Sequence, residues 1–315
     1  MSALTTEAAG PAALPWSMSP GVRPIALSAG DLTLSALISR PAGPPRATVV
    51  AVHGGGTSSG YFDGQAHPDV SLLALGARLG YTVVAVDRPG YGLSAARLPR
   101  GQALAEQSAA LRAALAHLGE RCATGDGVFL LAHSFGGELA LTYAASAAGE
   151  GPAPAPPELL GLDISGLGRD YATEPDALAD PPPGHHWKRH WGALRLYPPN
   201  TFREAASMVA PLPERERAEA PLWPGRFAGT AARVRVPVRL TFAECELWWR
   251  HDDRALADLA AQFTAAPSVA VDRQSGAGHN ISLGWAARTY HLRAFSFFEE
   301  CLARRAAGAS AGTAR

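Results

Sequence analysis

The chain contains 315 residues, and its 28 basic side chains balance its 28 acidic ones, so the formal net charge is zero. This balance removes the electrostatic argument for nucleic acid or an anionic membrane as the main partner. The content of 47% hydrophobic and 18% charged residues excludes a chain that is disordered throughout.

The three cysteines match no metal-binding spacing and no disulfide framework. The sequence shows neither a signal-peptide pattern nor an apolar run of about 18 residues, the length of a membrane span. We therefore expect a cytoplasmic protein, a monomer or homodimer, that acts on a small molecule and has no nucleic-acid or membrane partner.

Strand and helix patterns alternate along most of the chain. Residues 1–21 are rich in Ala, Ser and Pro, and we expect them to be disordered. Two short strands joined by a hairpin turn follow, Val22–Ala29 and Leu32–Ser39. Apolar runs then predict strands buried on both faces: Arg46–His53, Tyr81–Asp87, Val128–His133, Leu159–Ile164, Val236–Phe242 and Ser268–Val271. Helical patterns lie between and after them: Val70–Leu79, Gln102–Leu118, Ser134–Ala148, Asp252–Phe263 and Leu283–Arg305. This alternation predicts an α/β fold with a mostly parallel central sheet flanked by helices.

One region breaks the alternation. Residues 151–224 hold 14 of the 26 prolines and three of the seven tryptophans, and no strand–helix pair fits most of this stretch. A structureless loop of this length is uncommon inside a compact domain. We therefore predict an inserted helical cap over residues 169–226. It would divide the α/β core into residues 22–168 and 227–305, and we expect residues 306–315 to form a frayed tail.

The pentapeptide Ala132-His133-Ser134-Phe135-Gly136 follows a buried strand and opens a helix. It matches the small-x-Ser-x-Gly pattern of a nucleophile elbow, with alanine in place of the first glycine. Small residues are needed two positions before and after the serine because the turn is sharp. Its backbone is also strained, at a cost of about 1–3 kcal/mol. We predict that Ser134 is a nucleophile; the alternative is that it only caps the helix.

A glycine-rich loop, His53-Gly54-Gly55-Gly56, follows an earlier strand of the predicted sheet. Because glycines carry no Cβ atom, they let backbone N–H groups approach a negatively charged oxygen closely. We predict an oxyanion hole formed by the amides of Gly55 and Phe135, with Gly56 among the residues that bind the substrate. The alternative is a flexible turn without a chemical role.

Three motifs, each at the end of a predicted strand, resemble those of the α/β-hydrolase superfamily. They are HGGG at residues 53–56, DRPGYGLS at residues 87–94 and AHSFGG at residues 132–137. The resemblance extends from about residue 22 to residue 303 and is interrupted by the predicted cap. It implies an α/β-hydrolase fold and a nucleophile, an acid and a histidine in that order along the chain. We expect the DRPGYGLS motif to turn the chain beside the elbow without taking part in chemistry.

The resemblance also indicates the histidine and the acid of a catalytic triad. His279 lies in a glycine-containing loop between the last short strand and the C-terminal helix, where the family carries its general base. The family's acid follows the preceding strand, which makes Glu246 the predicted acid. Asp163, one strand earlier, and Glu244, two residues before Glu246, are the alternatives that the sequence leaves open.

Aromatic and histidine side chains are concentrated in the predicted cap. The residues expected to contact the substrate, besides Gly56, are His133, Trp187, Trp191 and Trp223. The alternative for the tryptophan rings is inward packing on the core. His186 and His190 have helical spacing, but a zinc site would need further ligands and usually a catalytic glutamate, so no metal is predicted.

These features predict a serine hydrolase that cleaves an ester, lactone or thioester of a small molecule with a substantial apolar or aromatic portion, with no cofactor. A serine at the elbow argues against epoxide hydrolases and haloalkane dehalogenases, which carry aspartate there. Two alternatives stay open. The same triad supports C–C bond hydrolysis, cyclisation or lyase chemistry on a polyketide-like intermediate of natural-product biosynthesis. The fold also serves binding proteins without catalytic activity.

Overall fold

The computed structural model describes residues 17–146, 155–172, 185–205 and 208–313. Its strands are β1 Arg23–Ala29, β2 Leu32–Ser39, β3 Thr48–Val52, β4 Thr82–Val86, β5 Val128–His133, β6 Leu159–Ser165, β7 Val238–Cys245 and β8 Val269–Gly278. They form one eight-stranded sheet in the order β1-β2-β4-β3-β5-β6-β7-β8. The β1–β2 and β2–β4 pairs are antiparallel, and all other neighbours in the sheet are parallel. The predicted α/β architecture with a mostly parallel sheet is confirmed.

Helices cover both faces of this sheet. They are α1 Leu72–Arg78, α2 Leu104–Arg121, α3 Phe135–Ala145, α4 His185–Trp191, α5 Thr201–Ala205, α6 Glu214–Glu219, α7 Trp223–Ala231, α8 Asp253–Ala260 and α9 Ala287–Thr313. Strand β3 shows why its apolar run is continuous. Val50 and Val52 pack in the core cluster that includes residues of α2, α3, α7 and α8. Val49 and Ala51 pack in the cluster that includes residues of α1 and α9. All five residues of this strand are buried, and four of them are apolar.

The last strand and the last helix are longer than the sequence pattern predicts. Strand β8 continues to Gly278, because its pairing with β7 extends past the apolar run that ends at Val271. It is an edge strand and half-exposed, so its outer residues are polar and give no hydrophobic signal. Helix α9 likewise continues to Thr313, where the sequence predicts a frayed tail. Most of the predicted disordered N-terminus, residues 1–16, lies outside the described residues.

Between β6 and β7 the chain leaves the sheet. We call residues 185–205, which contain α4 and α5, the first cap segment, and residues 208–231, which contain α6 and α7, the second cap segment. The intervening residues of the predicted cap, 173–184 and 206–207, lie outside the described ranges. The two segments reach the sheet at different loops, which are described with the site.

Candidate active site

Ser134 lies on the sharp turn between β5 and α3. Its backbone has φ 52° and ψ −124°, and it is the one non-glycine residue with positive φ in the described parts of the chain. A Cβ atom on Gly136 would lie 2.3 Å from the carbonyl oxygen of Val52 and 2.5 Å from that of His53. The second small position of the pattern is therefore fixed by backbone atoms that cannot move aside. Such local strain is typical of functional sites, where the surrounding structure maintains it.

A chain of hydrogen bonds connects Ser134, His279 and Glu246. The Ser134 Oγ lies 3.2 Å from Nε2 of His279, and Nδ1 of the same ring lies 2.8 Å from Oε2 of Glu246. Because a carboxylate only accepts hydrogen bonds, Nδ1 carries the ring proton and Nε2 is left as the acceptor for the serine hydroxyl. The histidine and glutamate side chains are almost fully buried, whereas Ser134 is partly exposed. In this arrangement the His279 ring can accept the proton of the Ser134 hydroxyl, and Ser134 is exposed enough for a small molecule to contact it.

The carboxylate of Glu246 is stabilised in its charged form. Burial opposes ionisation, but the adjacent His279 ring and two backbone amides hold the pKa of Glu246 below its ordinary value. The amides belong to Leu247 and Trp248, which donate to Oε1 over 3.0 and 2.8 Å. An ionised partner at Nδ1 keeps the ring in one tautomer and stabilises the imidazolium form when it appears.

The two alternative acids have other partners. Asp163 forms a buried ion pair with Arg239 over 2.6 Å and accepts a hydrogen bond from the Tyr290 hydroxyl over 2.9 Å. Glu244 is exposed and accepts the backbone N–H of Gly276 over 2.7 Å. Only Glu246 of the three carboxylates is hydrogen-bonded to His279 within the described residues.

The glycine-rich loop after β3 lies directly against the elbow. A Cβ atom on Gly54 would lie 3.1 Å from the Cβ of Ser134. One on Gly55 would lie 4.0 Å from the Cβ of Phe135 and 3.0 Å from Leu212 of the second cap segment. The two predicted oxyanion donors, Gly55 and Phe135, thus belong to neighbouring backbone segments beside the serine. Because Gly54 and Gly55 carry no Cβ atom, these backbone segments can lie this close together.

His133 packs against the ring of His279. It is buried, stacks on Tyr61 with ring centroids 4.7 Å apart and lies 4.8 Å from the His279 ring. Its Nδ1 is 3.2 Å from the Ser165 hydroxyl. Burial, followed by the neighbouring His279 and His190, holds the pKa of His133 well below its ordinary value. His133 is therefore a buried ring, packed between Tyr61 and His279, for which the lowered pKa favours the neutral form.

The predicted tryptophans occupy three different environments. Trp187 is 46% exposed and contacts Phe202, with ring centroids 5.6 Å apart. Trp191 is partly buried between Tyr197 and Phe202. Trp223, in contrast, is 1% exposed and packs in the main core cluster, where its indole N–H donates to the Gly168 carbonyl over 3.1 Å. The structure therefore places Trp187 and Trp191 in the first cap segment together and Trp223 apart from them.

Some residues near the site were not predicted to have a role there. The Trp248 and His190 rings lie 6.3 and 5.8 Å from the ring of His279. Arg88 and Tyr91 belong to the motif predicted only to turn the chain, yet both lie under the glycine-rich loop and are fully buried. For Arg88 the sequence does contain a signal of such a role. An arginine that directly follows a fully buried strand is itself expected to be buried, and it then needs buried hydrogen-bond partners.

Two further features of the described residues concern metals and membranes. They contain no group of three or more His, Cys, Asp or Glu side chains that could hold a metal ion. None of their helices is both long and apolar enough to cross a bilayer.

Comparison with known proteins identifies the family. The family model for the alpha/beta hydrolase family matches residues 49–289, which is most of the chain. The chain therefore belongs to the α/β-hydrolase family, as its three motifs predict. A comparison with curated proteins finds no match.

Solved structures share the fold at low sequence identity. A thermostable carboxyl esterase from Bacillus coagulans has 16% identity and a TM-score of 0.66, over 90% of this chain and 100% of the esterase. An N-acyl homoserine lactonase has 15% identity and a TM-score of 0.62, over 89% and 97% of the two chains. A thioesterase domain from the curacin biosynthetic pathway has 17% identity and a TM-score of 0.56, over 86% and 98%. These similarities establish the α/β-hydrolase fold.

Proposed function

We propose that the chain is a serine hydrolase that cleaves an ester, lactone or thioester through an acyl-enzyme on Ser134. The observation that carries this proposal is the hydrogen-bonded series from the Ser134 hydroxyl through His279 to Glu246, at a serine with φ 52°. A serine that only capped α3 would need neither this backbone conformation nor a buried imidazole beside its hydroxyl. The side chain of Ser134 in fact makes no capping hydrogen bond to the helix.

In the first half of the reaction, Nε2 of His279 accepts the proton of Ser134 as Oγ attacks the substrate carbonyl carbon. The carbonyl oxygen then carries a negative charge, which the amides of Gly55 and Phe135 stabilise. The imidazolium that has formed is stabilised by the carboxylate of Glu246. The carbon–oxygen or carbon–sulfur bond to the leaving group breaks as His279 returns the proton to it. Ser134 is left acylated.

The second half repeats these steps with water. Nε2 of His279 accepts a proton from the water as its oxygen attacks the acyl carbon. The same two amides stabilise the second oxyanion, and the bond to Ser134 breaks as the proton passes to Oγ. The carboxylic acid leaves, and the free serine is restored. The neutral His133 contributes no proton to either half.

The substrate class is supported by the fold neighbours and by the first cap segment. The neighbours include proteins named as a carboxyl esterase, a lactonase and a thioesterase, whose substrates all undergo acyl transfer. Trp187, Trp191 and Phe202 form a group of rings in the cap segment that carries His190 beside His279. Such rings favour a substrate with an apolar or aromatic portion.

The test combines covalent labelling with product analysis. A fluorophosphonate probe should modify Ser134 in the wild type, and 4-nitrophenyl acetate, a bulky aromatic ester, a lactone and a thioester should be screened for turnover. Ser134→Ala should abolish labelling and lower kcat by about 10⁶-fold on any substrate that is turned over. Ser310→Ala, on the exposed face of α9, is the matched control and should behave as the wild type.

Three results would contradict the proposal. A wild-type protein that is neither labelled nor active on the panel would indicate a binding protein. Labelling of Ser134 together with cleavage of a β-diketone, but of none of the acyl compounds, would instead indicate a C–C bond hydrolase. Retention of a tenth of the wild-type activity by Ser134→Ala would remove Ser134 as the nucleophile.

A further inference from the structure

Arg88 lies beneath the glycine-rich loop with every one of its five guanidinium donors engaged. Its Nε donates to the His53 carbonyl over 2.8 Å, and its Nη2 donates to the Gly54 carbonyl over 3.0 Å. The remaining donors reach Gln107 over 2.9 Å and both carboxylate oxygens of Glu216, over 2.6 and 3.0 Å. The side chain is 1% exposed. An arginine satisfied in this way has a single orientation, because any rotation would leave buried donors unpaired.

The contacts of Arg88 with the loop fix one peptide plane. Besides Arg88, the Gly54 carbonyl accepts the Thr57 hydroxyl over 3.1 Å and lies 2.8 Å from Nδ1 of His53. Since Nε2 of His53 accepts the backbone N–H of Arg88 over 3.0 Å, the ring proton of the neutral imidazole is on Nδ1 and points to this carbonyl. A peptide unit is planar and trans, so its C=O and N–H point in opposite directions. Holding the Gly54 carbonyl therefore sets the direction of the Gly55 N–H.

The cap supplies the counter-charge that holds Arg88 in place. Glu216, on helix α6 of the second cap segment, is as buried as Arg88, with 1% of its side chain exposed. It also accepts the Tyr91 hydroxyl over 2.9 Å, and the Tyr91 oxygen in turn accepts the backbone N–H of Gly56 over 3.1 Å. The carboxylate of one cap residue is thus linked through two side chains to the backbone of both Gly54 and Gly56.

A second contact binds the same cap segment to the same loop. The backbone N–H of Ala210 donates to the Gly56 carbonyl over 2.9 Å, and Val209 forms an isolated bridge with Thr57. The loop is therefore held from below by Arg88 and from the cap side by residues 209–216. A stability role alone does not require these contacts to converge on the backbone of Gly54 and Gly56, on either side of Gly55.

We propose that Arg88 and Glu216 are positioning residues for the oxyanion hole, through which the second cap segment sets the orientation of the Gly55 amide. This inference rests on the proposed serine-hydrolase function. Neither side chain touches the reacting atoms. Their effect passes through the two peptides that flank the Gly55 Cα atom, one held by Arg88 at the Gly54 carbonyl and the other by Tyr91 at the Gly56 N–H. A displacement of about 1 Å there is expected to lower the rate by up to about 100-fold.

The test compares two glutamates on the same short helix. Glu216→Gln keeps the size of the side chain but removes the charge that faces Arg88, whereas Glu214→Gln removes an exposed partner of Arg100. For Glu216→Gln on 4-nitrophenyl acetate, kcat should fall about 10- to 100-fold, and KM should change by less than about threefold. Inhibition by an aryl trifluoromethyl ketone, whose adduct with Ser134 carries an oxyanion, should weaken by a similar factor. Glu214→Gln should match the wild type in all three measurements.

A purely structural role would give a different result. In that case Glu216→Gln would lower the melting temperature, but kcat per active site, counted by fluorophosphonate titration, and inhibition by the ketone would stay at wild-type values. That outcome overturns the inference. Should Glu216→Gln fail to fold, Tyr91→Phe decides the case, because it removes only the hydroxyl between Glu216 and Gly56. Its kcat should fall about 3- to 10-fold, and an unchanged kcat would equally overturn the inference.

Failure of the inference can be told apart from failure of the proposed function. A wild-type protein that hydrolyses the ester while Glu216→Gln and Tyr91→Phe do so equally well contradicts only the positioning role. A wild-type protein that neither hydrolyses the ester nor reacts with the fluorophosphonate contradicts the proposed function, and the positioning role falls with it.

Discussion

The two cap segments are held on the core by different forces. The second segment, residues 208–231, brings the buried carboxylate of Glu216 and the core residue Trp223, together with a backbone hydrogen bond to the glycine-rich loop. The first segment, residues 185–205, contacts the core through aromatic and aliphatic packing and through a backbone hydrogen bond in which the Trp285 N–H donates to the Leu196 carbonyl over 2.9 Å. Its rings contact one another, and Leu196 and Tyr197 pack against the loop that leads to His279.

This difference separates two tasks. A buried ion pair such as Arg88–Glu216 has strict hydrogen-bond geometry, so we expect the second segment to fix the backbone of the glycine-rich loop. Packing between rings tolerates small displacements, and one of the rings, Trp187, is largely exposed. We therefore expect the first segment to be the part of the cap that contacts the substrate. The following experiments compare the two segments, from the largest expected effect to the smallest.

The largest loss of kcat is expected for a residue outside the cap, and the losses expected for both cap segments can be compared with it. Glu246→Gln should lower kcat by about 10⁴-fold, because a glutamine in place of the carboxylate no longer stabilises the imidazolium of His279. Glu244→Gln is the matched control and should change kcat by less than about threefold, since among the described residues the exposed Glu244 carboxylate is hydrogen-bonded to the Gly276 backbone and not to His279. A severe loss with Asp163→Asn and little loss with Glu246→Gln would move the acid to the preceding strand.

In the second cap segment, Trp223→Ala should act on stability. Removing a fully buried indole should lower the free energy of unfolding by about 3–5 kcal/mol, measured by chemical denaturation. Relative kcat/KM values for a short-chain and a bulky aromatic ester should stay as in the wild type when measured well below the melting temperature. A change in this selectivity without loss of stability would show that Trp223 lines the substrate site, as its sequence position suggests.

The contact of the first cap segment with the histidine loop can be tested at Gly278. A Cβ atom there would lie 2.7 Å from the Tyr197 hydroxyl and 3.3 Å from Leu196. Gly278→Ala should therefore displace His279 and lower kcat by about 10- to 100-fold. Adding Tyr197→Phe should restore kcat to within about threefold of wild type. It relieves the clash and removes a hydroxyl that is buried without a hydrogen-bond partner among the described residues.

Gly229 provides the control for this experiment. It lies in α7 of the second cap segment, and a Cβ atom there would have no neighbour within 4 Å in the described structure. Gly229→Ala should leave kcat unchanged and slightly raise stability, because alanine favours the helix by up to about 1 kcal/mol. If the double variant Gly278→Ala, Tyr197→Phe stayed as slow as the single one, the first segment would not control the position of His279.

The smallest effect is expected at Trp187. Trp187→Ala should raise KM for a bulky aromatic ester about 5- to 10-fold and leave kcat for 4-nitrophenyl acetate unchanged, because an exposed ring adds contact area without fixing the catalytic groups. The melting temperature should change by no more than about 2 °C. Trp285→Ala, another half-exposed indole outside the cap, is the control. A large drop in melting temperature with unchanged KM would give Trp187 a packing role.

Patterns that are local in the chain were predictable from the sequence. The valine-rich runs identify buried strands because every residue of such a strand meets an apolar face. The small residues around Ser134 reflect a turn only a few residues long, at which Gly136 nearly touches the backbone of β3. Gly54 and Gly55 follow from the same requirement for close approach, whereas Gly56 has a φ of 70°, which favours glycine. Strand β8 is the exception, since its polar edge residues pair with β7 without producing an apolar run.

Features that depend on residues far apart in the chain were decided only by the tertiary structure. Asp163 lies near the end of β6 and Glu246 directly follows β7, and the sequence leaves both open as the acid. Only the fold shows that Asp163 pairs with Arg239, whereas Glu246 is hydrogen-bonded to His279. The difference in burial between Trp223 and Trp187 was likewise decided by the fold. The residue type alone does not show which side of a helix will pack against the core. Arg88 and Glu216 are 128 positions apart, and no sequence motif predicts that they pair. They meet because the second cap segment, which carries Glu216, packs onto the loops at the end of the sheet. A buried charge is stable only beside a partner of opposite charge, and only the tertiary structure brings that partner to it.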